Sequence, residues 1–199
     1  MKKVDYKRLK NLLTYDYLSM LKSLEFYKGE NDPAILDIGF GEAGFLKAAK
    51  IAGFSNLTGN DINDARIGEL NRFDIPLIVG DITTTDVGQY DIINAQHVLE
   101  HVIDPFEFLR AIQRSLKPDG LAHIVVPNEG GLVARQKNLL SKLGLKNKPF
   151  KHLSPWHHLF FYERKTSGEL LSVPSLEFSW SFDDKGRQVS FRSGDHTHK

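Results

Sequence analysis

Short apolar segments alternate with amphipathic segments five times between residues 34 and 128. The apolar segments have the length and composition of buried strands, and they read AILDIG, LTGND, PLIVGD, YDIINAQ and LAHIVVPN. The segments that follow the first, second and fourth of them have helical spacing. Successive β-α units of this kind build a parallel sheet with helices on both faces. The pattern therefore predicts an α/β, doubly wound domain.

Local signals set the boundaries of the predicted helices. The first helix runs from Ala43 to about Ala52, where Gly53 provides a stop, and the second runs from roughly Asn63 to Asn71. A third begins at Asp104-Pro105, because Asp caps free amide groups and Pro suits the first helical position. The run KPDG breaks that helix and precedes the fifth strand.

The two ends of the chain differ from this core. Residues 1–30 have apolar groups at helical spacing and predict an N-terminal helical cap. Residues 129–171 contain two helical segments, and the stretch 175–192 alternates apolar and polar residues around DDKG, which indicates a C-terminal β-hairpin. A chain of 199 residues suits one domain, so we expect a single domain over 1–199 with its core at 34–128.

Composition excludes several classes of partner and chemistry. Lys and Arg number 26 against 25 Asp and Glu, so no strong overall field favours nucleic acid or an anionic membrane. The absence of cysteine excludes disulfides and thiolate chemistry. No apolar run approaches the roughly 18 residues that span a bilayer, so we predict neither a signal peptide nor a transmembrane helix. We expect a cytoplasmic protein without membrane insertion; its oligomeric state is left open.

A glycine-rich corner follows the first strand and is the first candidate site. Asp37, Gly39, Gly41 and Gly44 lie where the strand turns into the helix. Glycine permits a tight turn and close approach of a ligand to the backbone, and the amides at the helix start face that ligand. Asp61 and Asp81 close the second and third strands, at the edge where open α/β sheets bind ligands. A carboxylate there can accept hydrogen bonds from ribose hydroxyls.

These residues occur in segments that resemble the class I S-adenosylmethionine-dependent methyltransferases, in the branch of ubiquinone-biosynthesis-like and related small-molecule enzymes. The similar segments are ILDIGFGEAGF, LTGNDI, VGDI and YDIINAQHVLEHVIDPFEFLRAIQRSLKPDGLAHIVVPN. The resemblance implies a Rossmann-like, mostly parallel seven-stranded sheet whose last two strands form the hairpin. The chain departs from the family pattern at Phe40 and Glu42, where small residues or Cys are frequent. In addition, only about 70 residues follow the fifth strand.

The resemblance also implies a role for each candidate residue. The cofactor would be S-adenosyl-L-methionine, bound by Asp37, Gly39, Gly41 and Gly44 at its methionine portion, by Asp61 and Ile62 at the ribose, by Asp81 and Ile82 at the adenine, and covered by Gln96. The reaction would be in-line transfer of a methyl group to a small-molecule acceptor, most simply at oxygen. His97 and His101 follow the fourth strand, and either would serve as the base if the acceptor must lose a proton, unless His101 only packs within the loop.

Four alternatives stay open on sequence grounds. HVLEH matches the H-x-x-E-H pattern of zinc peptidases, but barely two helical turns are available there. A metal at His97, Glu100 and His101 that assists O-methyl transfer is a little more plausible than a peptidase site, although we predict no metal. The glycine spacing also satisfies the dinucleotide fingerprint of an NAD-dependent oxidoreductase. A catalytically idle binding module would retain the same fold.

A basic segment lies beyond the fifth strand. No acidic residue occurs between Glu129 and Glu163, whereas cations accumulate at Arg135, Lys137, Lys142, Lys146, Lys148 and Lys151, followed by aromatic residues at Phe160, Phe161 and Tyr162. One hypothesis is a substrate lid that selects an anionic acceptor. The alternative is a solvated helix face beside ordinary core aromatics. A nucleic-acid partner is disfavoured because the patch is short and the net charge is +1.

Overall fold

The computed structural model describes residues 32–126 together with the two segments 176–179 and 189–193. The predicted N-terminal cap at 1–30, the segment 129–171 and the turn of the predicted hairpin lie outside the described residues. The described elements are β1 (Ile35–Ile38), α1 (Gly44–Ile51), β2 (Leu57–Asp61), α2 (Ile67–Asn71), β3 (Leu77–Val79), β4 (Tyr90–Gln96), a 3₁₀ turn (Leu99–His101), α3 (Pro105–Arg114), β5 (Leu116–Val125), β6 (Leu176–Ser179) and β7 (Val189–Ser193).

The strands form one sheet in the order β3-β2-β1-β4-β5-β7-β6. The first five are parallel to one another: β1 pairs with β2 and β4, β2 with β3, and β4 with β5. The backbones of β6 and β7 are antiparallel, and β7 pairs antiparallel with β5. Because β1 to β4 are parallel, their carboxyl ends lie at one edge of the sheet. The reversal of connection order beside β1 opens a crevice at this edge, where such sheets bind ligands.

Buried side chains form a core on each face of the sheet. Ile35 of β1 belongs to the cluster that also contains Phe45 and Leu46 of α1. The next residue, Leu36, belongs to the cluster on the other face, with Phe108 and Leu109 of α3. Successive strand residues point to opposite faces, so α1 and α3 cover opposite sides. The predicted doubly wound parallel sheet is confirmed for these five strands.

The start of α3 follows the predicted capping. The Asp104 carboxylate accepts hydrogen bonds from the backbone N–H groups of Phe106 and Glu107, both at 3.0 Å, and Pro105 occupies the first turn. Backbone N–H groups in the first turn have no carbonyl partner within the helix, and these two therefore bond to the cap instead. None of the helices in residues 32–126 is long and apolar enough to cross a bilayer.

Two predicted boundaries are wrong. Helix α2 begins at Ile67 instead of near Asn63, because the Asp61 and Asn63 side chains accept hydrogen bonds from backbone N–H groups two residues onward and hold a turn. KPDG was predicted to separate α3 from the fifth strand, but it belongs to that strand, because β5 begins at Leu116. Leu116 pairs with Tyr90 before the register shifts, and Asp119 has a φ of 61°, which marks a bulge.

Candidate active site

A cavity of about 580 Å³ opens at the carboxyl edge of the sheet. Its wall is built from the ends of β1 to β4 and from the start of α3. The lining residues are Ile38, Gly39, Asn60, Asp61, Ile62, Gly80, Asp81, Ile82, Thr83, His97, Val98, His101, Val102, Ile103, Asp104, Glu107 and Phe108. The structure therefore brings together seven of the eleven residues singled out in the sequence, and it does so in a space of the size typical for small-molecule sites.

The glycine turn places one glycine on the cavity wall. Gly39 has a φ of +61° and donates its N–H to the Asn60 carbonyl at 2.8 Å, which ties the end of β1 to β2. A Cβ on Gly39 would lie 2.7 Å from Cγ2 of Val98, another lining residue. The position therefore requires glycine for both its backbone conformation and the space available. Gly41 (φ +52°) is exposed, and Gly44 begins α1.

The carboxylates of Asp61 and Asp81 both face this cavity. Oδ1 of Asp81 accepts hydrogen bonds from the N–H and the hydroxyl of Thr83, both at 2.8 Å. Oδ1 of Asp61 accepts from the Asn63 N–H at 3.3 Å. Each carboxylate is thus oriented through one oxygen by its own loop, and its second oxygen can serve a ligand.

Asn60 is a lining residue that sequence reasoning missed. Its Nδ2 donates to the carbonyls of Ile78 and Gly80, both at 3.0 Å. These bonds attach the end of β2 to the turn that carries Asp81. The available signal was an amide directly before Asp61 at the end of a predicted strand. Asn60 is only 1% exposed, and its amide pairs with backbone carbonyls.

Asp37 and Gln96 are not lining residues of the cavity, and neither are Gly41 and Gly44. The Asp37 carboxylate is buried beneath the glycine turn, where Nδ2 of Asn94 donates to its Oδ1 at 2.5 Å. Oδ1 of Asn94 in turn lies 2.9 Å from Nδ1 of His123 and accepts from Nε2 of Gln96 at 3.4 Å. Asp37, Asn94 and His123 occupy matched positions on β1, β4 and β5. We call these three residues the polar row.

Burial shifts both ionisable members of the polar row toward their neutral forms. Desolvation raises the pKa of Asp37 from 3.8 to about 7, although the hydrogen bond from Asn94 opposes the rise. Desolvation lowers the pKa of His123 from 6.5 to about 4. A neutral imidazole that meets an amide oxygen must donate from Nδ1, so the row is a continuous chain of hydrogen bonds. Asn94 and His123 were not anticipated from the sequence.

The two candidate bases follow β4 on a short turn. His97 has a φ of +56°, donates its N–H to the Val125 carbonyl at 2.8 Å and has Nδ1 3.2 Å from Oε1 of Glu100. His101 ends the 3₁₀ turn, and both imidazoles line the cavity. The two histidines do not share an α-helix, which contradicts the geometry of a zinc-peptidase site. Within residues 32–126, no three His, Asp or Glu side chains converge as metal ligands would.

The two departures from the family pattern have separate structural roles. Phe40 is buried in the core beside α1, and a Cβ on Gly59 would lie 3.1 Å from its ring. Glu42 is exposed and forms an ion pair with Arg66, which joins the glycine turn to the loop after β2. Neither residue lines the cavity.

The described wall of the cavity carries negative charge. Four acidic residues line it, namely Asp61, Asp81, Asp104 and Glu107, and no Lys or Arg does so in the described part of the chain. Asp104 caps α3, and Glu107 pairs with Arg110 and Arg114. The charge on this wall that no described ion pair offsets is therefore carried by Asp61, Asp81 and Asp104, and it favours a cationic or hydroxyl-bearing ligand.

Comparison with known proteins identifies the family to which this chain belongs. Residues 12–180 match the family model described as a methyltransferase domain. The chain is 34% identical to the ubiquinone biosynthesis O-methyltransferase of Pseudomonas aeruginosa, over 43% of this chain and 40% of that protein. It is 29% identical to the enzyme of the same name from Hydrogenovibrio crunogenus, over 55% of this chain and 46% of that protein. The chain thus spans less than half the length of these curated relatives.

Solved structures share the fold. The N-methyltransferase NodS of Bradyrhizobium japonicum, solved with S-adenosylhomocysteine, has a TM-score of 0.61 at 17% identity and covers 90% of this chain and 86% of its own. Magnesium protoporphyrin IX methyltransferase of Synechocystis, also solved with that product, has a TM-score of 0.66 at 14% identity and covers 90% and 82%. At these identities the likeness concerns the fold alone.

Proposed function

Because the chain belongs to the methyltransferase-domain family, we propose that it transfers a methyl group from S-adenosyl-L-methionine to an oxygen atom of a small-molecule acceptor. Membership of this family favours a methyltransferase over the NAD-dependent alternative. The names of the curated relatives support oxygen as the acceptor atom.

One observation carries the proposal: the cavity unites the Gly39 turn, the Asp61 and Asp81 carboxylates and the His97 imidazole in one space. The described wall suits the cofactor. The absence of a side chain at Gly39 lets a ligand approach the backbone, and Asp61 offers an acceptor to ribose hydroxyls. The carboxylates also complement the positive charge of a sulfonium.

When bound, the cofactor supplies an electrophilic methyl group. The residues of this chain would hold and orient it: Asp61 and Ile62 at the ribose, Asp81 and Ile82 at the adenine, and Gly39 near the methionine portion. Asp37, Gly41, Gly44 and Gln96 would act from behind this wall, Asp37 by fixing the turn. His97 and His101 would face the acceptor. Alignment of the two reactants supplies much of the acceleration in such a displacement.

The first test is the affinity for S-adenosylhomocysteine after replacement of Asp61 by alanine. We expect the Kd to rise about 10- to 100-fold, because charge-assisted hydrogen bonds are each worth about 1.5–3 kcal/mol. Isothermal titration calorimetry measures this change. Asp64→Ala is the matched control, since Asp64 is an exposed acid of the same loop that does not line the cavity.

Two results would contradict the proposed function. Wild-type protein that binds NADH but not S-adenosylhomocysteine would be an oxidoreductase-like binder. Wild-type protein that binds the product but transfers no labelled methyl group to any compound in a cell extract would be an idle module. A defined first acceptor is 3,4-dihydroxybenzoate, which offers aromatic hydroxyls and a carboxylate.

The proposal extends to the parts of the chain outside the described residues. We place the acceptor against the segment 129–171, with the helical cap at 1–30. Residues 180–188 would form the turn of a hairpin over 175–192 that joins the described strands β6 and β7. The cations of the segment 129–171 would select an acceptor that bears phosphate or carboxylate.

Replacement of Lys146, Lys148 and Lys151 by alanine tests this selection. We expect KM for an anionic acceptor to rise about tenfold while kcat changes little, because lost uniform binding appears in KM. Steady-state kinetics with 3,4-dihydroxybenzoate and with uncharged catechol measure it. Equal KM values for the variant and the wild type with the anionic acceptor would contradict the lid.

A further inference from the structure

His97 contacts Glu100, a buried carboxylate to which the proposed function gives no role. Nδ1 of His97 lies 3.2 Å from Oε1 of Glu100, and the two residues are joined by the turn that leads into Leu99–His101. The His97 side chain is 49% exposed and lines the cavity, whereas Glu100 is 1% exposed. The imidazole thus lies between a buried carboxylate and the open cavity.

His97 is also held in an unusual backbone conformation. Its φ of +56° falls in the left-handed region, which costs a non-glycine residue on the order of 1 kcal/mol. The hydrogen bond from its N–H to the Val125 carbonyl continues the pairing of β4 with β5 and keeps the turn in place. Conformations of this kind persist where the surrounding structure determines them, and they cluster at functional sites.

The Glu100 carboxylate has one oxygen unsatisfied. Among the described residues, Oε2 of Glu100 has no hydrogen-bond partner although it is buried. A buried carboxylate with an unpaired oxygen is costly unless a positive charge lies beside it. Nδ1 of His97 lies 3.2 Å from the other oxygen, Oε1. A hydrogen on this nitrogen gives the buried carboxylate a hydrogen bond, so the contact favours Nδ1–H over a bare Nδ1.

We propose that Glu100 is a positioning residue for His97: it accepts a hydrogen bond from Nδ1–H, leaves Nε2 free to take the acceptor's proton, and stabilises the imidazolium that results. This inference rests on the proposed function. The acceptor hydroxyl gives its proton to Nε2 of His97 as its oxygen bonds to the methyl carbon. The carbon–sulfur bond breaks and its electron pair stays on sulfur, so charge and atoms balance. Protonated His97 then returns its proton to solvent.

The other ionisable groups on the cavity wall do not duplicate this contact. Those that share the cavity with His97 are Asp61, Asp81, His101, Asp104 and Glu107. The bonds described for Asp61, Asp81 and Asp104 go to their own loops, and Glu107 pairs with arginines of α3. Glu100 is therefore the carboxylate that sets the tautomer of His97.

The tautomer of His97 is a direct test that needs no turnover. At about pH 8, where an ordinary imidazole is neutral, ¹⁵N spectra of the wild-type protein should show a protonated Nδ1 and an unprotonated Nε2. His97→Asn assigns the signal by its loss, since asparagine tolerates a positive φ. In Glu100→Gln, an amide that can donate or accept at Nδ1, both tautomers should appear. A protonated Nε2 in the wild type would overturn the proposal.

Kinetics provide the second test. Glu100→Gln preserves volume but removes the charge, so we expect kcat for 3,4-dihydroxybenzoate to fall about 100-fold with the Kd for S-adenosylhomocysteine unchanged. Asp119→Asn is the matched control, because Asp119 is an exposed acid near the start of β5, at the opposite edge of the sheet from the cavity. An unchanged kcat in Glu100→Gln would overturn the proposal. A wild-type protein that does not bind S-adenosylhomocysteine would instead contradict the proposed function. If the wild type does not methylate 3,4-dihydroxybenzoate, the ¹⁵N measurement of the His97 tautomer tests the role of Glu100 by itself.

Discussion

Replacement of Gly39 by valine should abolish detectable binding of S-adenosylhomocysteine and lower the melting temperature. Valine at a φ of +61° is a backbone outlier, and its Cβ would lie 2.7 Å from Cγ2 of Val98. The turn would have to leave the left-handed region and lose the hydrogen bond from Gly39 to the Asn60 carbonyl. We expect the Kd to rise by at least about 10³-fold, since the proposed site depends on close approach of the cofactor to the backbone of the glycine turn. Calorimetry and thermal denaturation measure the two effects.

Gly88→Ala separates backbone strain from the site. Gly88 also has a positive φ, +82°, and a Cβ there would meet nothing within 4 Å. It does not line the cavity. This variant should lose about 1 kcal/mol of stability and keep its affinity for the product. If Gly39→Val bound the product as tightly as Gly88→Ala, the glycine turn would not be part of the cofactor site.

The polar row should make stability depend on pH in opposite senses when its two ionisable members are removed one at a time. Between about pH 4 and 6.5 the folded chain holds a proton on Asp37 and none on His123, because their pKa values are about 7 and about 4. In the unfolded chain, with values of 3.8 and 6.5, the proton is on the histidine instead. The bound-proton counts are equal, so the two groups cancel in the wild type.

Each single substitution should therefore change how the free energy of unfolding depends on pH. Asp37 makes the wild type less stable as pH rises from about 4 to 7, so the stability of Asp37→Asn relative to wild type should increase by about 4 kcal/mol over that range. His123 makes the wild type more stable as pH rises from about 4 to 6.5, so the relative stability of His123→Asn should decrease by about 3 kcal/mol. Urea denaturation at several pH values measures both. Parallel pH profiles for wild type and both variants would show that the row is not in these protonation states, and Asp119→Asn controls for the loss of an exposed acid.

The elements that the sequence predicts well are those specified by neighbours in the chain. Strands β2 and β4 have the expected bounds because each is a short segment set off by the helical or turn segments on either side of it, and α3 begins where Asp104 caps it. Helix α2 was predicted too long because side chains of the loop compete with the helix for backbone N–H groups. The bulge in β5 depends on pairing with Tyr90, which lies on another strand.

The candidate site divides in the same way. Gly39, Asp61 and Asp81 follow strand ends, so the rule for α/β sheets places them at one edge. The polar row could not be predicted, because Asp37 and Asn94 are 57 residues apart and Asn94 and His123 are 29 apart, and only the strand register aligns them. The contact between His97 and Glu100 spans three residues, but it depends on a left-handed backbone at His97 that periodicity does not reveal.

The two bonds from Asn60 have a consequence for recognition. By fastening the end of β2 to the carbonyls of Ile78 and Gly80, this amide fixes the spacing between the loops of Asp61 and Asp81 before any ligand arrives. A nucleoside bound as proposed would therefore meet two loops whose spacing is already fixed, and little conformational entropy would be lost on binding. The part of the cavity formed by these two loops should therefore select ligands by shape without rearranging. Adaptation to different acceptors would then depend on other parts of the molecule.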